Sequence, residues 1–110
     1  MKILILEDDT SRIDIFMEKL SLEHDLACVD TAASAISLLK NEEFDVIFLD
    51  HDLGGEQMVS TTNKNTGSEV VRWIGLNHTK IGKPLFVVHS LNTPAAASMT
   101  ALLKDFFTNV

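Results

Sequence analysis

Four short apolar runs, each followed by a stretch of helical periodicity, constrain this chain most. They are Lys2 to Leu6, Leu26 to Val29, Asp45 to Asp50 and Leu85 to Val88. The third holds four consecutive hydrophobes, Val46-Ile47-Phe48-Leu49, two of them β-branched. A run without polar alternation suits a strand buried on both faces, as in a parallel sheet. Leu26 to Val29 is the weakest of the four.

Helical stripes fill the gaps. Thr10 or Ser11 can cap a helix whose Ile13, Phe16, Met17 and Leu20 fall at i, i+3, i+4 and i+7. Thr31 caps a second, with Ala32, Ala35, Ile36 and Leu39 on one face. A third starts near Gly67 or Ser68 and turns Val70, Val71 and Ile74 inward. Thr93-Pro94 supplies an N-cap followed by proline at the first helical position, and Met99, Leu102, Leu103 and Phe106 form the last stripe. The segment from Leu53 to Thr66, with Gly54, Gly55 and several Ser, Thr and Asn residues, reads as a long loop able to act as a lid. Met58 reads as a core or loop anchor, as does Trp73.

The order βαβαβαβα implies one α/β domain over residues 1–110, a three-layer doubly wound sheet of four parallel strands. We expect strand order 2-1-3-4, with two helices on each face. Ligands of such sheets bind beyond the carboxyl ends of the strands. Three strands here end in polar groups: Glu7-Asp8-Asp9, Asp50-His51-Asp52 and His89-Ser90. Being the same ends of parallel strands, they should converge at one rim.

Charge limits the partners. The net charge of −7 and sequence pI near 4.8 argue against a nonspecific nucleic-acid or membrane surface. They leave room for a phosphate ligand, because a cation held by carboxylates makes an acidic pocket hospitable to phosphate. No segment approaches the ~20 apolar residues of a membrane span, and the apolar start is cut short by Glu7-Asp8-Asp9, unlike a signal peptide. A single cysteine, Cys28, allows no internal disulfide and fits a cytoplasmic location.

Each rim group has a chemical reading and a bland one. Asp8 and Asp50 offer hard oxygens suited to Mg²⁺ or Mn²⁺ bound weakly, with Glu7 assisting; otherwise they cap a helix and a turn. His51 and His89 can serve as general base and acid near neutral pH, or be packed and simply hydrogen-bonded. Strand alternation points Asp50 and His51 oppositely if the strand stays regular. Ser90 and Asn92 can bond a phosphoryl oxygen, though Asn92 can equally cap a turn. Arg12 lies close enough in sequence to the first rim to reach an anion, but reads first as a solvated helix charge.

At these residues the chain resembles a response-regulator receiver domain of the CheY-like, flavodoxin-type fold: acids after the first strand (Glu7-Asp8-Asp9), Asp50 after the third and Ser90 after the fourth. The resemblance implies Asp50 as phosphoacceptor, Asp8 with Glu7 and the backbone carbonyl of Asp52 as Mg²⁺ ligands, and Ser90 on a phosphoryl oxygen. Receivers also carry a fifth strand and a phosphate-binding lysine. Only Phe107-Thr108-Asn109-Val110 follow the last helix here, and Lys83-Pro84 precedes the fourth strand, at the opposite rim. With "LDHDLGG" and "HSLN" the chain looks most like the cyclic-phosphate-processing receiver domains, short phage and bacterial proteins without the fifth strand. That likeness implies a site for a small phosphate ester or an RNA or nucleotide end, with cyclic phosphodiesterase activity. The competing expectations are a signalling receiver phosphorylated on Asp50, acting on a protein partner, and an interaction module that has lost the chemistry.

Overall fold

The computed structural model describes residues 1–53 and 59–110. The elements run β1 (Lys2–Leu6), α1 (Thr10–Leu20), β2 (Asp25–Val29), α2 (Ala32–Asn41), β3 (Val46–Leu49), α3 (Gly67–Leu76), a 3₁₀ turn (His78–Lys80), β4 (Leu85–Val88) and α4 (Thr93–Lys104). The strands form one parallel sheet in the order β2-β1-β3-β4, the order expected from sequence. Ile5 pairs with Cys28 on one side and Phe48 on the other, and Phe48 pairs with Val87. Central β1 is the driest strand, with Ile3, Leu4, Ile5 and Leu6 all buried. Edge strand β2 is half-buried and starts on the exposed Asp25, which explains its weaker apolar signal.

The helices divide three to one, not two to two. Leu4, Leu6, Ile47, Leu49 and Phe86 face a core shared with α2, α3 and α4, while Ile3, Ile5 and Val46 belong to a smaller cluster that Phe16 and Leu20 of α1 cover. Crossover handedness dictates this division. The step from β1 to β2 runs one way along the sheet, and the steps from β2 to β3 and from β3 to β4 run the other. Right-handed crossovers then place α1 on one face and both α2 and α3 on the opposite one. α4 packs beside α3, so among the described residues α1 is the one helix on its face. Phe86 N–H donates to the Asn109 carbonyl at 2.9 Å beside β4, but no fifth strand forms there.

Two caps differ from expectation. α1 is capped by Asp9, whose carboxylate accepts from the N–H groups of Ser11 and Arg12, rather than by Thr10 or Ser11. α4 is capped by Asn92, one residue before the expected Thr93, with Pro94 in its first turn. Thr31 caps α2 as expected, accepting from Ser34 N–H. Phe106 lies beyond the end of α4, 41% exposed and stacked on His78; Phe107 is the residue turned into the core. Gly54, Gly55 and Met58, with the middle of the expected lid, lie outside the described residues.

Candidate phosphate and metal site at the carboxyl rim

The ends of β1 and β3 bring three acids together. Glu7 is fully buried, Asp50 nearly so and Asp8 half-buried. One ligand oxygen from each lies within 4.8 Å of the others. The sheet enforces this: Asp50 N–H donates to Leu6 O at 3.2 Å and Glu7 N–H to Val29 O at 3.0 Å, so the ladder holds the backbone beside both acids. From the other face, Gly67 at the start of α3 lets the Asp50 carbonyl approach its α-carbon, since a β-carbon there would lie 2.0 Å from the oxygen.

Such crowding has an electrostatic consequence. Burial, followed by the hydrogen bond and repulsion from Asp50, pushes the Glu7 carboxyl up to about 8; the charge of Arg12 and the bond from Asp8 N–H partly oppose this. The Arg12 Nε lies 3.0 Å from Glu7 Oε1 and 3.6 Å from Asp9, although the first contact lacks hydrogen-bond alignment. The raised Glu7 carboxyl, hydrogen-bonded to Asp50 with Asp8 close by, forms with them a hard-oxygen donor set that suits Mg²⁺ or Mn²⁺.

His89 enters the rim from the α1 side. Its ring is packed edge-on against Phe16 at 5.8 Å and tilted against Phe48 at 6.2 Å, and its Nε2 is buried without a hydrogen-bond partner. Burial drives its pKa below the ordinary 6.5 against the pull of Asp50, with Arg12 lowering it further. A neutral imidazole results, able to take a proton. Ser90 follows it, half-buried; its Oγ accepts from Asn92 N–H at 3.1 Å, which leaves the hydroxyl hydrogen for a ligand.

The remaining sequence candidates face elsewhere. His51 is fully buried and turned toward α3, opposite in strand alternation to Asp50. Its Nε2 lies 2.7 Å from the Val59 carbonyl and its Nδ1 2.8 Å from Ser68 Oγ. A nitrogen facing a carbonyl must carry its hydrogen, so Nδ1 is the acceptor in the neutral ring. With both nitrogens engaged, His51 is not arranged for the acid–base role expected of it. Asn92, expected on phosphate, accepts from Ala95 N–H and donates to Asp52 Oδ1 and the Val59 carbonyl. The Asp52 carboxylate also takes Val59 N–H at 2.9 Å. Asp52, His51 and Asn92 therefore grip the Val59 backbone from both sides and pin the returning end of the long loop.

Arg12 is the residue that sequence reasoning underrated. A helix-borne arginine normally extends into solvent, but in the first turn of α1 it lies just above the buried Glu7. The signal was positional: Arg12 and Phe16 stand at i and i+4, on the helix face turned to the rim.

A model of the family described as "Cyclic-phosphate processing Receiver domain" matches residues 3–105. No curated protein matches the sequence. Among solved structures, a signal receiver domain from Vibrio parahaemolyticus superposes with TM-score 0.68 at 21% identity, covering 96% of this chain and 75% of that one. A CheY-like receiver domain protein from Methanospirillum hungatei gives 0.61 at 22%, covering 89% and 74%. The receiver domain of a Francisella response regulator gives 0.67 at 15%, covering 98% and 79%. At these identities the likeness shows the fold. No helix among the described residues is long and apolar enough to cross a membrane.

Proposed function

Because this chain belongs to the cyclic-phosphate-processing receiver domains, we propose that its carboxyl rim binds a small cyclic phosphate ester and opens it by hydrolysis. The observation carrying this reading is the pairing of the Glu7–Asp8–Asp50 cluster with a buried, unpartnered His89 Nε2 in the electrostatic field of Asp50. Carboxylates alone would repel a phosphate, and a lone imidazole would have nothing to bind it beside.

Glu7, Asp8 and Asp50 would hold Mg²⁺ or Mn²⁺, with the Asp52 carbonyl as a further ligand, since its carboxylate is engaged elsewhere. Bound there, the cation supplies charge neutralisation for the phosphoryl oxygens. The protein's own groups do the rest. The Ser90 hydroxyl donates to a phosphoryl oxygen, and the Arg12 guanidinium balances negative charge from the helix side. His89 Nε2 takes a proton from the attacking water as the new phosphorus–oxygen bond forms. The ester bond to one ring oxygen breaks, and the imidazolium returns the proton to that oxygen, leaving a phosphomonoester. One imidazole serves both steps, so the mechanism does not call on His51.

The test is turnover of a 2′,3′-cyclic nucleotide with added Mg²⁺ by the wild-type protein and by Asp8→Ala and Asp50→Ala. Metal-dependent turnover lost in both variants is expected. Turnover unaffected by both substitutions would place the chemistry elsewhere.

A further inference from the structure

Among the described residues, one helix covers the sheet face that carries Asp50 and His89. Alternation puts Phe48 with Asp50 along β3, and Val87 with His89 along β4, on the α1 side. Phe16 of α1 meets Phe48 edge-on at 5.1 Å and His89 at 5.8 Å. These three rings and Val87 are only half-buried, and Leu85, next along the same face, is 45% exposed. The other three helices occupy the far side of the sheet, so among the described residues nothing closes this ledge over β4.

The ledge is continuous with the rim, because His89 belongs to both. A strand rises about 3.3 Å per residue, so Phe48 and Val87 lie about 7 Å below Asp50 and His89 along their strands. A sugar ring spans a comparable distance between its phosphate and its base. Phe48 and Val87 offer apolar surface and no side-chain hydrogen bond, so they suit the flat face of a base without selecting its edge.

We propose that this ledge is a base-binding subsite: a purine or pyrimidine packs on Phe48 and Val87, with Phe16 as the wall, while its cyclic phosphate lies at Asp50 and His89. The inference rests on the cyclic-phosphate reading and narrows its substrate class to a nucleoside 2′,3′-cyclic phosphate. The net charge of −7 works against the backbone of a longer RNA, so the ligand is a mononucleotide. Stacking without edge contacts favours the larger adenine over uracil.

The experiment compares adenosine 2′,3′-cyclic phosphate with the cyclic phosphate of methyl riboside, which lacks a base. Binding by NMR titration and turnover are both measured in Mg²⁺. Base stacking should tighten binding by about tenfold to a hundredfold, with amides near residues 16, 48 and 87 shifting only for the adenosine ligand. Phe48→Leu, which keeps apolar volume, and Val87→Gln, at a half-exposed position, should each lower that ratio toward one, with folding checked by thermal melts. Equal binding of the two ligands, or no binding of either, would overturn the subsite. Equal turnover of both would do so while leaving the hydrolytic reading intact. A base preference in binding without turnover would keep the subsite and remove the hydrolysis.

Discussion

The Gly67 α-carbon lies against the carbonyl of Asp50, closely enough that a β-carbon would come within 2.0 Å of the oxygen. The start of α3 and the end of β3 are therefore locked at the point where the acid cluster is held. The Gly67 N–H donates to the His51 carbonyl at 3.1 Å, which fixes the same junction. Gly67→Ala should destabilise the fold by about 1–3 kcal/mol through overpacking, and should weaken the cation response of Asp50 as the strand end shifts. Denaturant unfolding measures the first and a Mn²⁺ titration the second. Wild-type behaviour in both would show that the junction relaxes freely.

His51 and His89 should separate cleanly. Removing the His51 ring takes the partner of the buried Ser68 hydroxyl and leaves the Val59 carbonyl with only the Asn92 amide, and an unsatisfied buried polar group costs about 1–3 kcal/mol. His51→Ala should lower stability by that order or more, given the cavity, with loosening of the loop around Val59 seen by hydrogen exchange. Asn92→Ala should resemble it more mildly, through loss of the α4 cap and of the bonds to Asp52 and Val59. His89→Ala should instead lower turnover by ~10²–10⁴-fold. A His51→Ala protein of wild-type stability with abolished turnover would reverse the assignment.

Metal binding should be linked to pH through Glu7. Its carboxyl titrates near 8 in the fold, against an ordinary value of 4.5. A raised folded pKa contributes stability that is full below the unfolded value and lost as pH rises through about 8, so the metal-free protein should weaken over that window. A cation displaces the Glu7 proton, so its stabilising effect should grow over the same range, by up to about tenfold in apparent affinity per pH unit while one proton is released. Melting temperatures with and without Mg²⁺ at pH 5.5, 7 and 8.5 check this. A shift independent of pH would mean that Glu7 is not displaced from its proton.

Arg12 should matter through charge. Arg12→Ala removes the cation beside Glu7 and leaves that buried carboxyl facing only acids. We expect weaker phosphate binding, partly restored by Arg12→Lys, measured by titration with inorganic phosphate in Mg²⁺. Equal binding by Arg12→Ala and wild type would return Arg12 to the role of a solvated helix charge.

The strand order and the meeting of Glu7, Asp8 and Asp50 were legible because buried parallel strands announce themselves as unbroken apolar runs. The polar residue that ends each run then lies at a known rim. The division of helices was legible in principle, from crossover handedness, but not from residue patterning. The roles of His51 and Asn92 were not legible. Both sit beside rim residues in sequence, yet one step along a strand reverses the side chain, and a cap position engages an amide that would otherwise be free. Arg12 was half legible: its place near the first rim put an anion within reach, but its helical setting favoured a solvated charge, and the burial of Glu7 beneath it decides between them. The aromatic ledge follows from which face each described helix covers, and that is set by crossover handedness rather than by any residue pattern.

The most direct measurement of the central claim is ³¹P NMR of a 2′,3′-cyclic nucleotide incubated with the purified domain and Mg²⁺, alongside incubation with a small phosphodonor. The cyclic resonance should give way to a phosphomonoester, with His89→Ala slower by ~10²–10⁴-fold. The acid limb of the wild-type pH profile should lie below the ordinary histidine value of 6.5, as the burial of His89 requires. Acyl-phosphate labelling of Asp50 by the donor, undiminished in His89→Ala and with no turnover of the cyclic ester, would contradict the account and identify a signalling receiver.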